Sequence, residues 1–433
     1  MIDLYKITRN IKITRNGDAP SFLEAETDCH GYFFLRQLLS RIKKTELTMS
    51  YARGQKTISG YDVFTGYTLS SFSELEEKFP GLSSAEHGDY KYDVFGGFAF
   101  PSHLKSDYWK GFPLNYWFVP SLVLIKDNEH YKIRIYADGG RYSETLNHVT
   151  AGSENAEPVN FPESNTCKED FTSKVAMGIR AIKEGKLEKI VLSRCKFNKA
   201  ELQKDLHDIL LSAEEINNGT TLLFYRINGS VFISFTPETL LQGKTGTEMT
   251  TEALAGSVRK TGEPVSLLSQ ALLSSQKDLK EHIFVRDHIR NGIADVTDQF
   301  RYDLSPGVRE LKNIIHLHTG FSIKSCSLSD TLRIAGNLFP TPAVGGTPPE
   351  TAINEIELIE QYERGFFTGI IGYFCKDAGF DLKVPLRCGI LDNQGALLFA
   401  GCGVVEDSDP ESEFHETETK MSFLEEFLEN ANK

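Results

Sequence analysis

Residues 221–235 read TLLFYRINGSVFISF, and the fold class turns on this stretch. Two apolar runs of strand length, TLLFYRI (221–227) and SVFISF (230–235), are separated only by Asn228-Gly229. That dipeptide tolerates the positive backbone angles of a type I′ turn, so the runs pair as an antiparallel hairpin. Further strand-length segments follow at IIHLHTG (314–320), FFTGIIGYF (366–374), VPLRCGIL (384–391) and ALLFAGCGVV (396–405). Helices are expected between and after them, from about Ser275 to Ala294, Pro349 to Arg364 and Pro410 to Leu428. Hairpins interleaved with helices predict an α+β fold, not a regularly alternating parallel one.

Upstream of the hairpin, Phe171, Val175, Ile179 and Ile182 recur at helical spacing, and Gly185 is placed to end that helix before KIVLSRCKF (189–197). The first third is rich in aromatic strands: FGGFAFPS (95–102), YWFVPSLVLI (116–125) and HYKIRIYAD (130–138). Between them and the helix lies HVTAGSENAEPVNFPESNTCK, polar and without periodicity. The chain therefore divides into residues 1–147, a linker over 148–168, and a part over 169–433.

Bulk properties exclude several function classes. Of 433 residues, 40% are hydrophobic and 11% aromatic, which is enough for a sizeable core. The 47 Lys and Arg against 60 Asp and Glu leave a net charge of −13 and no basic stripe, so a nucleic-acid partner is not expected. No apolar run approaches the roughly 18 residues that would cross a bilayer. The opening MIDLYKITRNIKITRNGD lacks an apolar leader, so a soluble, cytoplasmic protein is expected. Seven cysteines, at 29, 167, 195, 326, 375, 388 and 402, form no CxxC pair and read as thiols, four of them in strand-like apolar stretches.

Polar residues that interrupt these apolar segments mark the candidate chemistry, because their burial costs energy that a partner or a function must offset. Lys189 begins KIVLSR; it reads either as a solvated strand end or, in a dry pocket, as an amine able to act as a base. Glu238 follows Pro237 in a rigid turn, an exposed carboxylate or else a buried general acid. Asp278 and Glu281 in KDLKEH, and Glu413, Glu416 and Lys420 in SEFHETETK, each lie along one helix face. One carboxylate from each helix would suit Mg²⁺, although Glu416 and Lys420 also make an ordinary helix pair. Glycines in ALAGS (253–257), AVGG (343–346) and AGCG (400–403) would let backbone N–H groups approach an anion.

In order, KIVLSR, FTPETLL, ALAGSVRK, KDLKEH, HLHT, FPTPAVGG, ERGFFTGIIGYF, LRCG and AGCGVVEDSDPESEFHETETK resemble the chorismate-utilising enzymes, from about Lys168 to Leu424. The resemblance implies one intertwined domain of two facing antiparallel sheets with outer helices. It also implies roles: Lys189 as the base that activates water, Glu238 as the general acid, and Glu281 and Glu416 as Mg²⁺ ligands with Asp278 and Glu413 behind them. Arg387 and Lys420 would hold substrate carboxylates. Gly256, Ser257, His316, Ala343, Phe367, Gly401 and Gly403 would line the pocket. Lys189 and Ala255 are similar to the water-using branch, whereas ammonia-using relatives usually carry Gln and, in some, Lys at these two places.

The chain departs from the family pattern at Thr236, Ser257, Phe339 and Phe367, where Ser, Thr, His and Tyr are common. Phe367 offers no hydroxyl, which favours isochorismate over salicylate as product. The expectation is thus a monomeric, Mg²⁺-dependent isochorismate synthase acting on chorismate without a glutaminase subunit. The product's fate in menaquinone or siderophore synthesis stays open. Salicylate synthase is the first alternative, followed by an anthranilate or aminodeoxychorismate synthase component and an inactive chorismate-binding relative.

Overall fold

The computed structural model describes residues 10–14, 22–27, 47–54, 56–82, 90–128, 130–137, 145, 159–162, 166–199, 220–227, 229–260, 262–310, 314–324, 327–376, 378–392 and 394–431. The hairpin forms as read. Thr221–Ile227 pairs antiparallel with Ser230–Thr236, Ile227 stands opposite Ser230, and Gly229 takes a positive φ of 86° in the two-residue turn. Asn228 itself lies outside the described residues.

A large antiparallel sheet grows outward from this hairpin. On one side Thr221–Ile227 pairs with Leu47–Arg53, which pairs with Lys56–Thr68 and then Tyr116–Asp127. On the other, Ser230–Thr236 pairs with Cys388–Asp392, then Gly395–Val404, then Lys189–Asn198. The long strand Tyr116–Asp127 is where the sheet divides. Its second half pairs with His130–Tyr136, while Trp117 and Phe118 pair with Val94–Phe98. From there a second arm runs through Ile370–Cys375, Gly379–Lys383, Thr239–Gly243, Glu248–Arg259 and Ile314–Lys324.

The arms pack face to face over an aromatic core. Tyr51 from the first meets Tyr373 from the second edge-on at 4.9 Å, and Trp109 stacks on Phe399 at 5.8 Å while meeting Phe366 edge-on. Such rings supply much of the buried apolar area and fix the spacing of the layers. Strands from before residue 147 thus pair directly with strands from after residue 169, at Leu47–Arg53 with Thr221–Ile227 and at Val94–Phe98 with Ile370–Cys375. The polar stretch over 148–168 lies mostly outside the described residues.

Helices cover the outer faces. Lys168–Lys183 starts at Cys167, whose sulfur accepts from the Asp170 N–H, and buries Phe171, Val175 and Ala181. A Cβ at Gly178 would stand 3.0 Å from Leu192, so this helix lies directly on the Lys189–Asn198 strand. The C-terminal helix Pro410–Ala431 buries Met421, Leu424 and Phe427 against Leu222, Phe224, Ile233 and Leu398 of the hairpin arm. Gln276–Ala294, capped by Ser275, packs on Glu248–Arg259. Among the described residues no helix is long and apolar enough to cross a membrane. Among the described residues Cys167, Cys195, Cys375, Cys388 and Cys402 form no disulfide with one another, and all but Cys167 are buried.

Two segments expected to be strands throughout are only partly so. The strand begins at Ile370 because Phe366 to Gly369 form a turn, with Thr368 at a φ of 60° and the Gly369 N–H donating to the Phe366 carbonyl. Likewise the ladder starts at Cys388, since Arg387 takes a φ of 47°. The helix from Pro349 stops at Glu360, not Arg364, where Gln361 turns left-handed. The same irregularities bring Phe367, Thr368 and Arg387 to one cavity.

Candidate active site

The cavity, of about 220 Å³, lies where the edges of both arms meet the helices Gln276–Ala294 and Pro410–Ala431. Its first wall is the paired strands Lys189–Asn198 and Gly395–Val404, with Gly403 opposite Val191 and Gly401 opposite Ser193. A Cβ at Gly403 would come within 3.0 Å of Glu281 Oε1 and 3.1 Å of Lys189 Cε, so glycine is what admits those side chains. Lys189 is fully buried behind it and donates from Nζ to Glu281 Oε1 at 2.8 Å.

The second wall is a bulge in Glu248–Arg259, where the register to Ile314–Lys324 shifts between Leu254 and Ser257. Gly256 sits in the bulge at a φ of 77°, and a Cβ there would reach 3.0 Å from the Asp278 carbonyl. Glycine thereby lets the N-terminal turn of the helix close on the bulge, which turns Ala255, Gly256 and Ser257 toward the cavity together with Lys277, Asp278 and Glu281. His282 locks the arrangement: its Nδ1 donates to the Ala255 carbonyl at 3.1 Å and its Nε2 accepts from Thr319 at 2.8 Å. Burial lowers its pKa to about 4, so it serves as a neutral strut.

Glu238 forms the third side. The Thr236 hydroxyl accepts from the Glu238 N–H at 3.1 Å and donates to the Val384 carbonyl at 2.5 Å, which holds the Pro237-Glu238 turn against the sheet. Burial, reinforced by the charge of Glu252, pushes the Glu238 carboxyl up to about 8, so it keeps its proton at neutral pH. His316 faces the cavity, and burial with nearby Arg387 and Lys420 lowers it to about 3. Its Nε2 is buried without a hydrogen-bond partner among the described residues, a donor or acceptor free for a bound molecule.

Carboxylates and cations alternate on the fourth side. Lys420 donates to Glu416 Oε1 at 2.6 Å and to the Gly401 carbonyl at 2.9 Å. Burial acts to lower the Lys420 pKa, but Glu416 outweighs it and holds the amine above its usual range. For Glu281 burial acts upward, and Lys189 outweighs it to hold the carboxyl below its ordinary value. Glu413 is raised by burial and by Glu416, and the Ser275 hydroxyl donates to Asp278 Oδ2 in capping the helix. Among the described residues no three His, Cys, Asp or Glu side chains encircle a cation by themselves. Glu281 and Glu416, one from each helix, suit a hard cation that takes two carboxylates and completes its shell from substrate and water.

The residues expected from the sequence to act, to bind substrate or to hold metal all border this cavity, Lys189 through its contact with Glu281 and the others directly, whereas Thr236 and Phe339 do not line it. Sequence reasoning missed Val191, Lys277, Val344, Thr368 and Leu386 in the lining. Lys277 was within reach, four residues before Glu281 on the same helix face. It also missed the support behind the wall. Buried Arg364 donates to the carbonyls of Val191 at 2.7 Å and Val344 at 2.9 Å and pairs with Glu360, which accepts from the Ser193 N–H and hydroxyl. Phe367 is buried and stacks on Phe399 at 5.6 Å.

Comparison with known proteins agrees with this geometry. The sequence model of a family described as chorismate binding enzyme matches residues 70–429. The chain is 27% identical to the "Salicylate biosynthesis isochorismate synthase" of Pseudomonas aeruginosa, over 84% of this chain and 80% of that protein. It is 28% identical to "Isochorismate synthase MenF" of Bacillus subtilis, over 76% and 73%. Among solved structures, an isochorismate synthase DhbC from Bacillus anthracis superimposes with a TM-score of 0.70 at 25% identity, covering 92% of this chain and 98% of that one.

Proposed function

We propose that this chain, which belongs to the chorismate binding enzyme family, is an isochorismate synthase that converts chorismate to isochorismate. The observation that carries this is one cavity bordered by a buried amine, Lys189, and by a buried carboxyl that holds its proton at neutral pH, Glu238. Such a pair suits an exchange of hydroxyl positions, which needs a base for incoming water and an acid for the leaving oxygen.

With its amine in the neutral form, Lys189 Nζ takes a proton as the water oxygen bonds to ring C2. The double bonds shift, the C4–O bond breaks, and Glu238 gives its proton to the departing oxygen, which leaves as water. Arg387 and Lys420 supply the positive charge that chorismate's two carboxylates require, and Ser257, His316 and the N–H groups at Gly401 and Gly403 offer polar contacts around the ring. Ala343 and Phe367 close the apolar sides. Glu281 and Glu416 would hold Mg²⁺, which when bound neutralises a substrate carboxylate and helps orient the ring. No redox cofactor enters the scheme.

Incubating the purified chain with chorismate and Mg²⁺ and separating the products by chromatography tests the reading. Isochorismate supports it, and unconsumed chorismate refutes it. The chain is proposed to work as a monomer in the cytoplasm, with isochorismate serving menaquinone or siderophore synthesis.

A further inference from the structure

A second cavity, of about 660 Å³, is lined by residues that neighbour those of the first along the same strands. Thr239 lines it immediately after Glu238. Glu252 lines it two residues before Leu254 on one strand, and His318 two residues after His316 on the next. Residues two apart on a strand share a face, so the two cavities are consecutive stretches of one surface, with Glu238 in the first next to Thr239 of the second. Within the second cavity Arg309 clamps both Glu252 oxygens at 2.6 Å, and His318 Nε2 donates to Glu252 Oε2 at 2.9 Å. Side-chain exposure falls inward, from 31% at His318 to 15% at Glu252, and Glu238 is buried.

We propose that this second cavity is the route by which Glu238 regains its proton, with His318, held by Glu252, collecting that proton from solvent. The inference rests on the isochorismate synthase reading, in which one turnover leaves Lys189 carrying an extra proton and Glu238 without one. No proton is gained or lost overall. Lys189 must release one and Glu238 must bind one before the next chorismate reacts. Glu238 is screened from bulk water on the substrate side whenever the pocket is filled, whereas the second cavity is polar and wide enough for water. His318, hydrogen-bonded to Glu252 at the mouth, hands the proton inward, and water within the cavity carries it on to Glu238.

The charged groups facing Glu238 are Glu252, Arg309, Lys383 and Lys189, and those around His318 are Glu252, Arg309 on the same carboxylate, Arg301 and Asp303 in the same cavity and, more remotely, His282. Burial acts upward on Glu252, but the His318 hydrogen bond and then Arg309 outweigh it and keep the carboxylate ionised, at about 2. Glu252 is therefore the fixed anchor, and His318 is the group that exchanges protons. Neither touches substrate, so both are positioning residues.

The test is steady-state kinetics of H318A with chorismate and Mg²⁺. Recovery of the acid follows the chemical step, so kcat should fall about tenfold while kcat/KM stays within about twofold, and added imidazole should restore kcat in a concentration-dependent way. A role confined to structure would lower both parameters and give no response to imidazole. If H318A does not fold, H318Q keeps a hydrogen bond to Glu252 without carrying a proton and should show the same fall in kcat. Unchanged kcat in the variant, or a loss of kcat/KM equal to that of kcat without rescue, overturns the route. An unaltered chain that forms no isochorismate overturns the parent reading and the route together; an active unaltered chain with an unimpaired variant overturns the route alone.

Discussion

Lys189 Nζ donates to Glu281 Oε1 at 2.8 Å, which ties the first residue of a central strand to the face of a helix across the cavity floor. The ion pair keeps two groups of opposite proposed roles, base and metal ligand, in one place before any substrate arrives.

The first prediction concerns Lys189. Lys189→Ala should lower kcat by about a thousandfold while chorismate still binds, since the base acts in the transition state more than in the ground state. The variant leaves Glu281 without its lysine, and a stability loss on the order of 3 kcal/mol is expected, so a urea melt of the variant accompanies the assay. Measuring chorismate binding by titration calorimetry beside kcat separates the two effects. Undiminished turnover would remove Lys189 from the mechanism.

The second concerns Glu238 and pH. Its carboxyl titrates near 8 in the folded chain because of burial and then the charge of Glu252, against an ordinary value of 4.5. The folded state therefore holds a proton that the unfolded chain has lost between about pH 4.5 and 8, so this group's contribution is greatest below 4.5 and declines as pH rises through 8. Glu238→Gln cannot ionise. Relative to the unaltered chain it should gain stability from pH 5 to 8 by an amount on the order of a few kcal/mol, read from urea melts at each pH. The same substitution should abolish turnover, and the unaltered enzyme should lose kcat as pH rises past about 8. Parallel stability curves would mean that Glu238 is not held protonated.

Hairpins and pocket residues were legible in the sequence for a shared reason: each departs locally from the pattern around it. Asn228-Gly229 interrupts two apolar runs, and Glu238 follows a proline at a strand end. By contrast, the cluster of Glu252, Arg309 and His318 joins residues 57 and 66 apart, each of which alone reads as an ordinary surface charge. The strand Glu248–Arg259 was hidden too, because its bulge at Leu254 to Ser257 breaks the alternation that would have announced it. Arg364 escaped because what it supports, two backbone carbonyls on distant strands, leaves no trace in side-chain pattern.

The third prediction tests the metal. Glu416→Ala should lower activity at least a hundredfold with the melting temperature nearly unchanged, since Glu416 is exposed, whereas Glu281→Ala should lower activity as far and also lower the melting temperature, because it leaves buried Lys189 without its partner. A chelator should abolish turnover and Mg²⁺ restore it. Full activity of either variant without added metal would rule out the two-helix site.

The fourth concerns the product. Salicylate requires a further elimination of pyruvate, and Phe367, buried and stacked on Phe399, offers no hydroxyl to hold the substrate for it. Isochorismate should accumulate without stoichiometric pyruvate in an assay coupled to lactate dehydrogenase. Rapid pyruvate release would move the assignment to salicylate synthase.

The last prediction is that neither ammonia nor a glutaminase partner is needed. An ammonia-using enzyme must favour a scarce amine over abundant water, which it does by withholding any base that activates water. In the mechanism proposed above the opposite holds, with Lys189 as the base at the cavity floor, whereas a Gln there could only orient a nucleophile that was already reactive. Ala255 acts in the same sense. Its carbonyl is engaged by His282 and its methyl side chain brings no second amine to the bulge. The purified single chain should therefore turn over chorismate with Mg²⁺ alone, and adding ammonium salt should give no aminated product. Lys189→Gln should lose isochorismate formation at least a hundredfold, and any residual amination with ammonium should be visible only in that variant. Anthranilate or aminodeoxychorismate as the main product of the unaltered chain, or activity only after a glutaminase is added, would overturn both the choice of water and the role of Lys189.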